Sequence, residues 1–152
     1  MGSLFRTAEG LDIEQLYLTG YTPYPHTDND IRMPHIYNKL SKQIAKTALG
    51  AEKFLQWTYV ESIEILIKNL RRQQYMICGL EQSANAQSLG TFRPTKKIAI
   101  IIGNEVSGLE DRLLDKVDII IEIPMLGRKE SFNVVQAAAM AMYHCRFYPF
   151  SN

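Results

Sequence analysis

Hydrophobic and polar positions fall into blocks along this chain, and the blocks have two different periods. Five short segments read as strands: Glu14 to Gly20, Phe54 to Val60, Tyr75 to Glu81, Lys97 to Gly103 and Asp118 to Pro124. The last three are largely apolar and alternate weakly, the pattern of parallel strands covered on both faces. Between the strands the period becomes helical. Ile63, Leu66, Ile67 and Leu70 recur at helical spacing, with Ser62 placed to cap the helix start. Leu109, Leu113 and Val117 share one face of SGLEDRLLDKV, and SFNVVQAAAMAMYHCRFY reads as an apolar helix rich in small residues. Strands alternating with helices predict an α/β fold, a mainly parallel sheet flanked by helices.

The longest stretch with neither period, Tyr21 to Pro34, carries three prolines. A loop of that length inside a compact domain is usually functional or mobile. Beyond it, Lys39, Lys42 and Lys46 fall on roughly one face of a helical segment. That face is either solvated or set against RNA phosphates, and the pattern leaves both readings open.

A chain of 152 residues supports one sizeable core. With 46% hydrophobic residues, 22% charged residues and a net charge of +1, it reads as a soluble globular protein whose charge alone says little about nucleic acid. No apolar run approaches the ~20 residues of a membrane span, and MGSLFRTAEG lacks the apolar core of a signal peptide, which points to the cytoplasm. Cys78 and Cys145 sit in apolar contexts without partners at metal-ligand spacing. Buried, reduced thiols are expected there, with neither zinc site nor disulfide framework. His26, His35 and His144 are scattered, as surface or satisfied-core residues are.

Candidate chemistry gathers at three strand ends: GLEQSANA after the third strand, GNEVSGL after the fourth and PMLGRKESFN after the fifth. Ligands of open parallel sheets bind at the carboxyl ends of strands, so three polar ends in a row define one site. Each alone is weak, since Gly103 would serve to end a strand and Gly108 to permit a turn. Neither G-x-G-x-x-G after the first strand nor a phosphate-binding G-x-x-x-x-G-K-[ST] occurs, and no close Ser, His and Asp set stands out. What remains is a pocket of backbone groups and small side chains, suited to a neutral-to-cationic ligand of adenosine type.

The run IIIGNEVSGL followed by IEIPMLGRKESFNVVQAAAMAMY resembles the second and third motifs of the SpoU-TrmH class of RNA ribose 2'-O-methyltransferases, in the SPOUT superfamily. GSLFRTAEG resembles the tail of that class's first motif. The resemblance runs through almost the whole chain, in the family's order. It implies an α/β domain with a C-terminal trefoil knot, S-adenosylmethionine as cofactor, and methyl transfer to a ribose 2'-hydroxyl of RNA with no metal. The family's pattern has a further strand and an Asn-containing segment ahead of GSLFRTA, so the expectation is one methyltransferase domain over residues 1–152 lacking that strand and the start of the first motif.

On this resemblance Gly103 lets the adenosine approach the backbone, and Asn104 lies in the same cofactor pocket. Ile123 and Phe132 cover the adenine, while main-chain groups of Leu80, Ile123 and Met125 read polar edges of the ligand. Ordinary core packing is the competing account of Ile123 and Phe132. Arg6 matches the first-motif arginine near the reacting ribose. A guanidinium is normally locked as a cation, so clamping an RNA phosphate and stabilising a developing alkoxide suit it better than general-base work; a surface salt bridge is the bland alternative. Glu105 orients Arg6 or loop amides, and Asn133 binds ribose, RNA or the neighbouring loop. Ser131 joins both the cofactor and the catalytic set, although a helix N-cap would explain it equally.

The apolar face of the final helix implies the family's homodimer, or else simple burial in the monomer core. A local basic patch of Arg6, Lys39, Lys42, Lys46, Arg128 and Lys129 serves RNA, with tRNA favoured over rRNA by analogy with minimal relatives. The alternative function is a catalytically silent knotted RNA-binding or assembly dimer. A Rossmann-type small-molecule methyltransferase would show a Gly-rich turn after an N-terminal strand, and none is present.

Overall fold

The computed structural model describes residues 1–104 and 107–150. The chain divides into two compact units, residues 1–63 and 64–152.

The first unit contains α1 (Gly2–Gly10), β1 (Leu16–Thr19), α2 (Pro34–Ala48), a 3-10 turn (Ala51–Lys53) and β2 (Trp57–Val60). The two strands pair in parallel, Leu16 opposite Trp57. Helix α1 has no counterpart in the hydrophobic pattern, because nine residues with glycine at both ends make a weak local helix. Packing supplies what propensity lacks. Gly2, Phe5 and Ala8 recur at i+3 and are all buried, and a Cβ on Gly2 would overlap the main chain of Ile44 and Ala48. The helices therefore meet backbone to backbone at that point.

The irregular stretch before α2 is held by one arginine. Arg32 donates to the Asp30 carboxylate through Nε at 2.8 Å and Nη2 at 2.5 Å, and to the carbonyls of Tyr24 and Pro25 at 3.1 and 3.3 Å. Its guanidinium lies 3.6 Å from the centre of the Tyr24 ring, and Tyr24 in turn stacks on Tyr59. Hydrogen bonding from Arg32 holds the Asp30 carboxyl well below the usual carboxylate range.

The second unit holds α3 (Ile63–Arg72), β3 (Met76–Leu80), β4 (Gln87–Ser88), β5 (Ile98–Ile102), α4 (Asp111–Leu114), β6 (Ile119–Glu122) and α5 (Val134–Arg146). Its sheet has the order β4-β6-β3-β5, and every pairing is parallel. The five strands expected from the pattern form; the two-residue β4 is additional. Alternation along β3 sorts its two faces. Cys78 and Leu80 enter a core with Leu89, Phe92, Ile121, Ala141 and Cys145. Gly79 points the other way, where an added Cβ would lie 3.2 Å from Leu109 and 3.5 Å from Val117. Leu109 and Val117 thus cover the face opposite α5.

The helix expected over SGLEDRLLDKV shrinks to the four residues of α4. Glu110 is extended, at φ −63° and ψ 141°, so helical geometry begins only at Asp111. Leu109 and Leu113 are nevertheless buried, as their spacing foretold. Both cysteines are free and buried, and burial pushes the thiol of Cys78 up to about 12 and that of Cys145 to about 11. The His144 ring lies with Nε2 at 2.8 Å from the Phe92 carbonyl, while His26 and His35 are exposed. Among the described residues, no helix is long and apolar enough to cross a membrane.

Candidate functional site

Parallel pairing brings the carboxyl ends of β3, β5 and β6 to one edge of the sheet, and a cavity of about 470 Å³ opens there. Leu80, Glu81 and Gln82 enter it from the end of β3, Ile102, Gly103 and Asn104 from β5, and Glu122 and Ile123 from β6. The segment leading into α5 closes the side with Ser131, Phe132, Asn133 and Val134.

Just beyond β5, Asn104 and Gly108 form an antiparallel bridge. Asn104 and Gly108 exchange both main-chain hydrogen bonds, at 3.0 and 2.9 Å. Gly108 adopts φ +64°, a left-handed conformation that favours glycine. A Cβ on Gly103 would lie 2.5 Å from the carbonyl oxygen of Gly108 and the nitrogen of Leu109. The first demand for glycine at position 103 is therefore internal: the returning strand of the turn crosses it. Glu81 fastens that return, because Oε2 accepts the Leu109 N–H at 2.7 Å while Oε1 accepts the Gln82 N–H at 3.0 Å.

Seven of the residues expected in the cofactor and catalytic sets line this cavity together: Leu80, Gly103, Asn104, Ile123, Ser131, Phe132 and Asn133. Met125 is half-buried and does not line it. Arg6 is exposed on α1 in the first unit. Glu105 lies outside the described residues. One expectation is corrected: Ser131 is not the cap of the final helix. The cap lies two residues later, where Asn133 Oδ1 accepts the Val135 N–H at 2.9 Å, and helix α5 begins at Val134. Ser131 thereby loses its bland explanation, and Asn133 acquires one.

Glu81 and Glu122 also line the cavity, although neither stood out in the sequence. Their signal was position, a carboxylate at the end of an otherwise apolar strand. No lysine or arginine lines the cavity among the described residues, so its charged groups favour a cation. Ile102, Ile123, Val134 and Ala137 supply apolar wall. Phe132 lines it with 38% of its surface still exposed.

A parallel α/β sheet with a polar pocket at its strand ends defines a ligand-binding α/β protein. The chain belongs to the SpoU rRNA methylase family, whose model matches residues 1–143. A Staphylococcus haemolyticus protein assigned to the TrmH family of tRNA/rRNA methyltransferases is 32% identical over 104 residues, covering 68% of this chain and 41% of that protein. The chain thus spans about two fifths of the length of such curated relatives. Among solved structures, an AdoMet-bound rRNA methyltransferase from Sinorhizobium meliloti superimposes with a TM-score of 0.76 at 20% identity, covering 99% of this chain and 52% of that one. A structure concerned with the 2-OH methylation of C/U34 on tRNA gives 0.73 at 21% identity, covering 95% and 84% respectively.

Proposed function

We propose that residues 1–152 form a single catalytic domain of an S-adenosylmethionine-dependent RNA ribose 2'-O-methyltransferase, with the cofactor bound at the ends of β3, β5 and β6. The observation that carries this reading is that the ends of three strands, all within the segment that the family model matches, converge on one cavity. The residues present fit the cofactor. About 470 Å³ lies within the usual size of small-molecule sites. Ile102, Ile123 and Phe132 offer an apolar bed for adenine, and Glu81 and Glu122 offset the charge of a sulfonium and an ammonium group. Bound there, S-adenosylmethionine supplies an electrophilic methyl group.

The chain's own groups have distinct tasks in this account. Main-chain groups of Leu80 and Ile123 read the adenine edge, and Gly103 and Asn104 form the wall that the turn presents. Ser131 and Asn133 hold the ribose side of the site. Arg6 remains a cation, clamps an RNA phosphate and stabilises negative charge on the ribose 2'-oxygen, whose proton passes to solvent as the methyl group is transferred. Glu105 orients the amides of its own loop.

A C-terminal trefoil knot is part of this reading, in keeping with membership of the family. Exposed Tyr143 and Phe147 on and beside α5 support a homodimer across that helix. The substrate is RNA of the cytoplasm, tRNA in preference to rRNA, in keeping with the similarity to the structure concerned with tRNA C/U34. Incubation with methyl-labelled cofactor and bulk tRNA or rRNA, followed by nucleoside analysis, tests this: a labelled 2'-O-methylnucleoside is expected. Cofactor binding without transfer would assign a silent binding module instead, and absence of both overturns the reading.

A further inference from the structure

We infer that the outward face of α2 is an RNA phosphate-binding surface, formed by His35, Lys39, Lys42 and Lys46. The inference rests on the proposed RNA substrate and names the surface that meets it. At about 100° per residue, the four positions fall within an arc of about 60°. Ile44 and Ala48, the buried residues of α2, lie on the opposite side of the helix. All four stripe residues are exposed. Consecutive members are three or four residues apart, which sets their Cβ atoms roughly 5–6 Å from one another, close to the step between phosphates along one strand.

Charge distribution separates this face from an ordinary solvated one. The chain carries 17 basic and 16 acidic residues, yet the fifteen residues of α2 include three lysines and no carboxylate. A helix that needs only solubility interleaves Glu with Lys at i and i+4, because like charges at those spacings repel. None of the three lysines has an ion pair or a side-chain hydrogen bond among the described residues. The three charges are thus concentrated on one face, the electrostatic footprint of a polyanion partner on a chain whose total charge is near zero. Each lysine neutralises one phosphate and releases condensed counterions as RNA docks.

The test is a salt titration of binding to fluorescently labelled bulk tRNA, comparing wild type with the Lys39→Gln, Lys42→Gln, Lys46→Gln triple variant. Glutamine keeps helix propensity close to that of lysine, and circular dichroism and S-adenosylmethionine affinity check the fold. At about 0.15 M salt the triple variant is expected to bind at least tenfold more weakly. The slope of log K against log salt should fall by about 2, near 0.7–0.9 per lost phosphate contact. The triple arginine variant should retain the wild-type slope. A triple glutamine variant with wild-type affinity and slope overturns the surface while leaving the RNA reading intact; wild type that binds neither tRNA nor rRNA overturns both. Equal, variant-sensitive binding of polyglutamate would assign the face to an acidic protein and overturn the RNA partner.

Discussion

The carboxylate of Glu81 accepts the main-chain N–H of Leu109 at 2.7 Å, tying the end of β3 to the return of the GNEVSGL turn. Its second oxygen accepts the N–H of Gln82. One side chain thereby fixes two of the strand ends that frame the cavity.

Glutamine at position 81 cannot reproduce this, since one end of its amide donates rather than accepts. Glu81→Gln is expected to weaken S-adenosylmethionine binding by about tenfold or more, in line with the ~1.5–3 kcal/mol of a hydrogen bond to a charged group. Calorimetric titration measures it, and an unchanged affinity would remove Glu81 from the architecture of the site.

Gly103 meets the main chain of Gly108 and Leu109 where a Cβ would stand. Gly103→Ala is expected to destabilise the fold by ~1–3 kcal/mol through overpacking against backbone that cannot step aside. Denaturant unfolding of the ligand-free protein reads this directly. Wild-type stability combined with lost cofactor binding would instead assign the glycine to the ligand alone.

Asn133 caps α5 with its side-chain oxygen. Asn133→Ala is expected to cost about 1 kcal/mol of stability, whereas Asn133→Asp keeps a capping oxygen and the wild-type stability. If Asn133 also binds substrate, the aspartate variant retains its fold and loses methyl transfer; full activity in that variant would confine the residue to capping.

These positions show how far the sequence could be read. The strand ends were legible because parallel strands buried on both faces leave a run of apolar residues that stops abruptly, as at Gly103. The assignment of Gly103 was incomplete for a physical reason: local composition does not reveal which segment, ligand or returning backbone, takes the space beside a glycine. Glu81 was hidden because a single carboxylate after a strand resembles any surface residue until its partner, 28 positions away, is known. Helix α1 was hidden for a related reason, since its stability comes from close crossing with α2 and not from its own nine residues. Ser131 and Asn133 both suit a helix start, and only backbone geometry distinguishes the capping residue from its neighbour.

Asp30 is held ionised by Arg32 below the usual carboxylate range. Its contribution to stability is therefore fully present above the unfolded-chain value of about 4 and is lost as pH falls through the lower folded value. Asp30→Asn should flatten the acid dependence of unfolding below about pH 4. Acid profiles of identical slope for wild type and variant would contradict the pairing.

Arg6 is exposed on α1, and its assigned work concerns RNA, not the cofactor. Arg6→Ala is expected to reduce methyl transfer to background while sparing S-adenosylmethionine affinity. Arg6→Lys should recover part of the phosphate binding but little turnover, because an ammonium lacks the planar fork. Full turnover in the alanine variant would refute the role.

The most direct test of the central claim is a crystal structure of this chain with S-adenosylhomocysteine. The account predicts the adenine against Ile123 and Phe132, with the ligand running between the Asn104 to Gly108 turn and the start of α5. A ligand bound elsewhere on the chain, with this cavity filled only by solvent, would contradict it.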